Sequence, residues 1–417
     1  MSTARNRPAL SILSEDYVRL VLALGLHDAD YVDAYYGPPE WKAAVEQEHP
    51  GLEQIAARAA VLINGLRQLT LADADEMVML RHRYLLRQSE SLLVRVTMLQ
   101  GLQRSFDDEA RDLYDAVPPT LPEEHFVGLL KNVGDILPGS GDIPARYQEY
   151  QKKFVIPNHL LDRVFGAAIA EGRRRTAEHI ALPAGDTFSI EYVTQKPWSG
   201  YNWYKGNGRS LIQMNVDFPI PIDRAVDLAC HEGYPGHHVY NSLLEQHLVR
   251  ERGWMEFSVY ALFSPQSLIA EGTANFGIDM AFPGKTRVEF EKEVLFPLAG
   301  LPPAEAEKYY EVHALVQRLA YAGNEAARRY LDGVISREEA ARWLQQYALM
   351  SPERSKQRTK FFDTYRSYVI NYNLGQDLVR KYIEAQGGTP DNPARRWQVF
   401  AELLSSPRMP SQLHTVV

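Results

Sequence analysis

Cysteine is nearly absent: Cys230 is the one cysteine among 417 residues. No intrachain disulfide framework exists, and a reducing compartment fits. Long apolar runs are missing too, since no window approaches the ~18 uninterrupted apolar residues of a membrane-spanning helix. Residues 1–13 lack the ~7–15-residue apolar core of a secretory leader, so the expectation is a cytoplasmic protein. Nor is there a basic surplus: 45 Lys and Arg stand against 53 Asp and Glu, for a net charge of −8. A chain of that sign is not expected to bind nucleic acid or an anionic membrane surface. Internal repeats and low-complexity segments are also lacking. What is left is an ordinary globular composition, long enough to bury a large core.

Most of the chain carries the helical apolar period. Tyr17, Leu20, Val21, Leu24 and Leu26 form a stripe after Ser14, which reads as its N-cap. Residues 52–68 and 75–104 repeat the pattern. Later helices are expected near 266–282, 304–331, 337–350, 353–383 and 394–405, with Ser336 and Glu339 as a capping box and Gly387-Gly388 after a helix end. A Pro- and Gly-rich loop at 138–144 divides an N-terminal helical part, 1–140, from a catalytic part, 141–417, the two interleaved in one body. Residues 187–194 and 210–216 alternate and are rich in β-formers, with turn residues and aromatics between them. They read as a small antiparallel element, whose aromatics serve either cross-strand packing or substrate contact. The expected fold class is mainly α with that minor β element beside the active-site helix.

Three of the twelve histidines fall within residues 231–238, His231-Glu-Gly-Tyr-Pro-Gly-His-His238. Neutral imidazole binds zinc well, and a carboxylate next to a ligand is placed to act as a base. On a regular helix a second histidine at i+4 would share the face of His231, but that position is Pro235. Pro235 would clash with the His231 carbonyl in a continuing helix, so the spacing predicts a break or bulge over 234–236, with Gly236 supplying the backbone freedom. If the bulge absorbs two residues, His237 becomes the second ligand; a sharper turn would bring in His238 instead. His237 is preferred because Gly236 before it allows a close approach, and the Gly236-His237 pair resembles the glycine-histidine pair of several gluzincin families. Cys230 reads as a small packing residue, since a helical neighbour of a ligand points away from it.

A second segment, Leu268-Ile-Ala-Glu271-Gly-Thr-Ala-Asn275-Phe-Gly277, sets Glu271 in an apolar, small-residue stretch. A buried carboxylate there needs a cation. Asn275, one turn on, is placed to orient a ligand through its amide. The three candidate ligands for Zn²⁺ are therefore His231, His237 and Glu271, with His238 as the alternative to His237.

With these two motifs, and with Ser105-Phe-Asp-Asp-Glu-Ala-Arg-Asp-Leu-Tyr114, the chain resembles the family called domain of unknown function 885, grouped with gluzincin metallopeptidases. It departs from that family at Thr273-Ala-Asn275, where an aromatic residue is usual. The resemblance implies a large helical gluzincin-like body, zinc on His231, Glu271 and one of the 237/238 pair, and Glu232 as general base. It does not name a substrate. A small peptide is the favoured one, with non-peptide amides or esters, or an inactive binding protein, as alternatives. The donor that stabilises a tetrahedral intermediate is sought at His313 or among Tyr365, Arg366, Tyr368 and Tyr372, with Tyr372 first. Arg366 or Lys205 is the candidate for holding a terminal carboxylate, and strand 210–216 for pairing with an extended peptide.

Overall fold

The apolar periodicity resolves into a mainly α architecture in the computed structural model, which describes residues 3–71 and 74–413. One hydrophobic core runs through the described residues from Leu10 to Leu413. The first helix, Thr3–Gly25, begins well before Ser14. Ser14 is therefore not a cap. It lies buried in mid-helix and donates its hydroxyl to Glu256 Oε2 at 2.6 Å. Arg81, on helix Glu76–Leu99, meets the same buried carboxylate at 2.9 Å. A serine can satisfy a remote acceptor as well as its own backbone, and here the remote one wins.

Other boundaries shift for identifiable reasons. The expected helix 304–331 is two, Ala306–Gln317 and Ala322–Leu331. The expected helix 353–383 divides into Pro352–Tyr365, hereafter the arginine helix, and Ile370–Ala385, the tyrosine helix. Between them Arg366 takes a positive φ of 51°. The buried carboxylate of Glu109 accepts from Arg366 Nε at 2.7 Å and from the Ser367 backbone N–H at 3.1 Å. This carboxylate collects the donors that the break sets free. Ser336 and Glu339 do form a capping box, and Gly387, with φ of +84°, follows the end of the tyrosine helix.

The β structure is slight. β1 (Val32–Tyr35) pairs antiparallel with a short strand, Val259–Ala261. β2 (Thr187–Val193), β3 (Gly200–Tyr204) and β4 (Arg209–Asn215) form a sheet in the order β2-β4-β3. β3 and β4 are the antiparallel pair, and β2 joins β4 in parallel. The turn residues expected between two strands thus contain a strand of their own. β4 is central and paired on both sides, so it cannot receive an extended peptide; the edge strand β3 lines the cavity instead. Among the described residues no helix is long and apolar enough to cross a membrane.

The closest helix crossing positions the site. The glutamate helix, Pro265–Ala281, packs on the tyrosine helix through Gly272 and Gly375. A Cβ on Gly272 would stand 2.5 Å from the Gly375 carbonyl carbon, and one on Gly375 would stand 2.7 Å from Leu268 O. Gly375 therefore marks a close approach of the two helices. Gly272→Ala is expected to cost about 1–3 kcal/mol by overpacking. Gly166→Ala, on a helix where a Cβ meets nothing within 4 Å, should be neutral or stabilising by about 0.4–1 kcal/mol. Urea unfolding of the two variants checks the contrast, and equal stabilities would contradict it.

Candidate metal centre

The motif begins on a short helix, Asp223–Leu228, that widens into a π turn over Ala229–Gly233. Tyr234 is extended, the Tyr234–Pro235 peptide bond is cis, and a new helix starts at His237. Pro235 has no N–H to continue the ladder. The chain closes instead through Tyr234 N–H to Ala229 O at 3.1 Å and Gly236 N–H to Cys230 O at 2.8 Å. Gly236 presses so closely on the helix end that a Cβ there would lie 1.9 Å from His231 O. Only glycine fits, and this turn carries His237 back beside His231.

His231 Nε2 lies 3.2 Å from His237 Nε2 and 3.2 Å from Glu271 Oε2, and His237 Nε2 lies 3.7 Å from the same oxygen. These three side chains form one of two described groups with metal-binding potential. A tetrahedral zinc with bonds of ~2.0–2.1 Å spaces its ligand atoms ~3.3–3.4 Å apart. The hydrogen bonds also fit a cation. Asn275 Nδ2 donates to the Tyr372 carbonyl at 2.8 Å, which fixes the amide orientation. Asn275 Oδ1 therefore accepts from His231 Nδ1–H at 2.9 Å, leaving the lone pair on Nε2. Glu271 Oε1 accepts from the Tyr368 hydroxyl at 2.7 Å, but buried Oε2 has no hydrogen-bond partner. A bare carboxylate oxygen facing a lone-pair nitrogen is what a cation site looks like before the ion is counted.

Glu232 is buried beside this group, with its carboxylate against the backbone of Gly200: a Cβ there would stand 2.7 Å from Glu232 Oε1. Asn202, on β3, donates to the Glu232 carbonyl at 2.7 Å and ties the sheet edge to the π turn. Burial pushes the Glu232 pKa up to about 7, with His237 lowering it and Glu271 raising it.

His238 faces elsewhere. Fully buried, it donates from Nε2 to Asp186 Oδ1 at 2.6 Å, so Nδ1 accepts from the Ser210 hydroxyl at 2.8 Å. Asp186 also accepts from the Tyr234 hydroxyl at 2.7 Å. His238 thus bolts the second motif helix to β4. Cys230 is buried and takes no part in either metal-capable group; burial pushes its thiol pKa up.

His313 does not join the triad. It belongs to the other group, with Asp223 and Asp227, its Nε2 3.3 Å from Asp223 Oδ2. Asp223 sits buried in the first turn of its helix and also accepts from the Tyr309 hydroxyl. Asp227 is neutralised by Arg287 at 2.9 Å and Arg224 at 3.2 Å. This network therefore compensates its own charge. Among the tyrosines, Tyr368 touches Glu271, while the Tyr372 ring lies 6.5 Å from the His231 ring and lines the cavity. Arg366 is spent on Glu109, and Lys205 lies over the Trp203 ring at 5.4 Å; neither lines the cavity.

The cavity holds about 1160 Å³ and takes in both metal-capable groups, Trp198, Tyr201 and the edge of β3. Tyr201 donates its hydroxyl to Asp33, whose pKa burial raises to about 6. Asp33 and Arg358, both in the cavity wall, were not apparent from the sequence.

Replacing Asn275 by Leu should weaken zinc binding about 10–100-fold by releasing the His231 ring. His238→Ala should keep one bound zinc but cost about 1–3 kcal/mol, because Asp186 and Ser210 lose a buried partner. Chelator competition and thermal melting read the two effects. Loss of zinc from a fully stable His238→Ala protein would reverse the assignment.

No family model matches the chain, and no curated protein matches it. Among solved structures, it is similar to a proposed lipoprotein from Colwellia psychrerythraea, at 15% identity over 89% of this chain with a TM-score of 0.54. The chain spans 65% of that protein's length, less than two thirds. It is also similar to a proposed lipoprotein of unknown function from Shewanella oneidensis, at 12% identity, over 89% of this chain and 74% of that one, with a TM-score of 0.48. The M32 carboxypeptidase from Deinococcus radiodurans R1 matches at 12% identity over 98% of this chain and 94% of its own, with a TM-score of 0.39. The first likeness is one of fold alone; the other two are too distant to carry an argument.

Proposed function

We propose that this chain is a zinc-dependent hydrolase that cleaves short peptides, related to the domain of unknown function 885 family. The observation that supports it most is the unpartnered Glu271 Oε2 facing His231 Nε2 and His237 Nε2, with Glu232 buried alongside. A zinc ion held by these three residues would supply a Lewis acid that polarises a carbonyl and brings the pKa of water down to ~7.

The protein's own groups account for the rest of the chemistry. Glu232, buried beside the three ligands, takes a proton from the attacking water and returns it to the leaving nitrogen, which restores its starting state. Asn275 holds the His231 ring in one tautomer, and Tyr368 holds Glu271 through the oxygen that is not offered to the metal. Tyr372 presents its ring to the same cavity beside His231 and is the candidate donor to the developing oxyanion. His313 has no such role here, because Asp223 holds it. A cavity of about 1160 Å³ has room for several residues of peptide. The lone, buried Cys230 is compatible with a cytoplasmic location.

Glu232→Gln should retain zinc while hydrolysis of a mixed peptide library falls by ~10²–10⁴-fold. Parental rates in that variant would remove Glu232 from the mechanism. Turnover of non-peptide amides or esters, with every peptide left intact, would replace the substrate class.

A further inference from the structure

The arginines in the cavity wall differ in one respect. Arg224 and Arg287 pair with Asp227, Arg380 pairs with Asp279 at 2.8 Å, Arg354 donates to Pro219 O at 3.0 Å, and Arg318 is exposed to water. Arg358 has no ion pair and no hydrogen bond among the described residues, and its Nε is buried without a partner. Its guanidinium is held by rings alone, with its central carbon 4.4 Å from the Phe361 centroid, 5.7 Å from Phe362 and 5.7 Å from Tyr372. Ring faces attract the charge but accept none of the five N–H donors along their fork. The residue is half-buried: its Nε is shut off from water without a partner while its terminal nitrogens stay open to the cavity, and burial pushes its pKa down. A planar oxyanion that accepts two parallel N–H bonds would satisfy those donors.

We propose that Arg358 binds the C-terminal carboxylate of the substrate, which makes this chain a carboxypeptidase for peptides with a free terminal acid. The inference rests on the peptide-hydrolase reading and deepens it. Tyr372 is close to both sites, with its ring 6.5 Å from that of His231 and 5.7 Å from the Arg358 guanidinium carbon. Arg358 is therefore no more than about 12 Å from the His231 ring. At ~3.3–3.6 Å per extended residue, one to three residues bridge that span, so cleavage falls near the chain end. Phe361, Tyr365 and Tyr372 line the cavity around Arg358, which favours an aromatic or aliphatic terminal side chain.

The test compares Ala-Ala-Phe with its C-terminal amide, titrated calorimetrically into the zinc-loaded Glu232→Gln protein, where cleavage does not interfere. The acid should bind about 10–100-fold more tightly than the amide, the usual size of a charge-assisted pair. Adding Arg358→Gln should bring the acid down to the amide and leave the amide unchanged. Adding Arg358→Lys instead should restore part of the preference, and zinc content with melting temperature confirms that each variant folds. Equal binding of acid and amide, equal weakening of both by Arg358→Gln, or no binding of either at millimolar concentration would overturn the proposal. The hydrolase reading fails separately. Tight binding of the acid with no cleavage by the parental chain would keep the carboxylate site and sink the enzyme, whereas cleavage of acid and amide at equal rates would do the reverse.

Discussion

One oxygen atom governs the arrangement. Glu271 Oε2 is buried and has no hydrogen-bond partner, and it faces imidazole nitrogens 3.2 and 3.7 Å away. Isolated, such a carboxylate would be costly enough to be protonated or expelled. The groups around it are held in place by the fold itself. Tyr368 occupies the other oxygen, Asn275 sets the His231 tautomer, and the Gly272–Gly375 crossing brings the glutamate helix within reach of both. The price of this preorganisation is a helix core with no room for a single extra methyl group at two positions.

The same constraint explains the break in the motif. Two histidines six positions apart cannot share a face of an unbroken α-helix. The π turn over Ala229–Gly233 and the restart at His237 solve that geometry, and Gly236 is the residue that lets the two pieces pack end on end. His238 then anchors the second piece to β4 and Asp186. Adjacent histidines thus do different work: one faces the cavity, the other fastens the helix that carries it.

The mainly α class was legible because amphipathic period needs no tertiary information, and His231, Glu232, His237 and Glu271 stood out through spacing and an anomalous charge in an apolar run. What escaped depended on partners far along the chain. Ser14 has the chemistry of a cap, and only the approach of Glu256 shows that it is not one. The centrality of β4 depends on a strand hidden among turn residues. His313 looked free until Asp223 was seen beside it. Arg358 sits in Arg354-Ser-Lys-Gln-Arg358, which reads as a solvated helix face; that no described carboxylate comes within ion-pair distance of it is a property of the packed molecule alone.

The account turns on a cation at one of two metal-capable groups in a single cavity. Anomalous diffraction across the zinc absorption edge, on crystals grown with one equivalent of zinc, tests it most directly. The expected map has a single peak between His231, His237 and Glu271, with nitrogen ligands at ~2.0–2.1 Å. A peak between Asp223, Asp227 and His313, or none at either place, would contradict it.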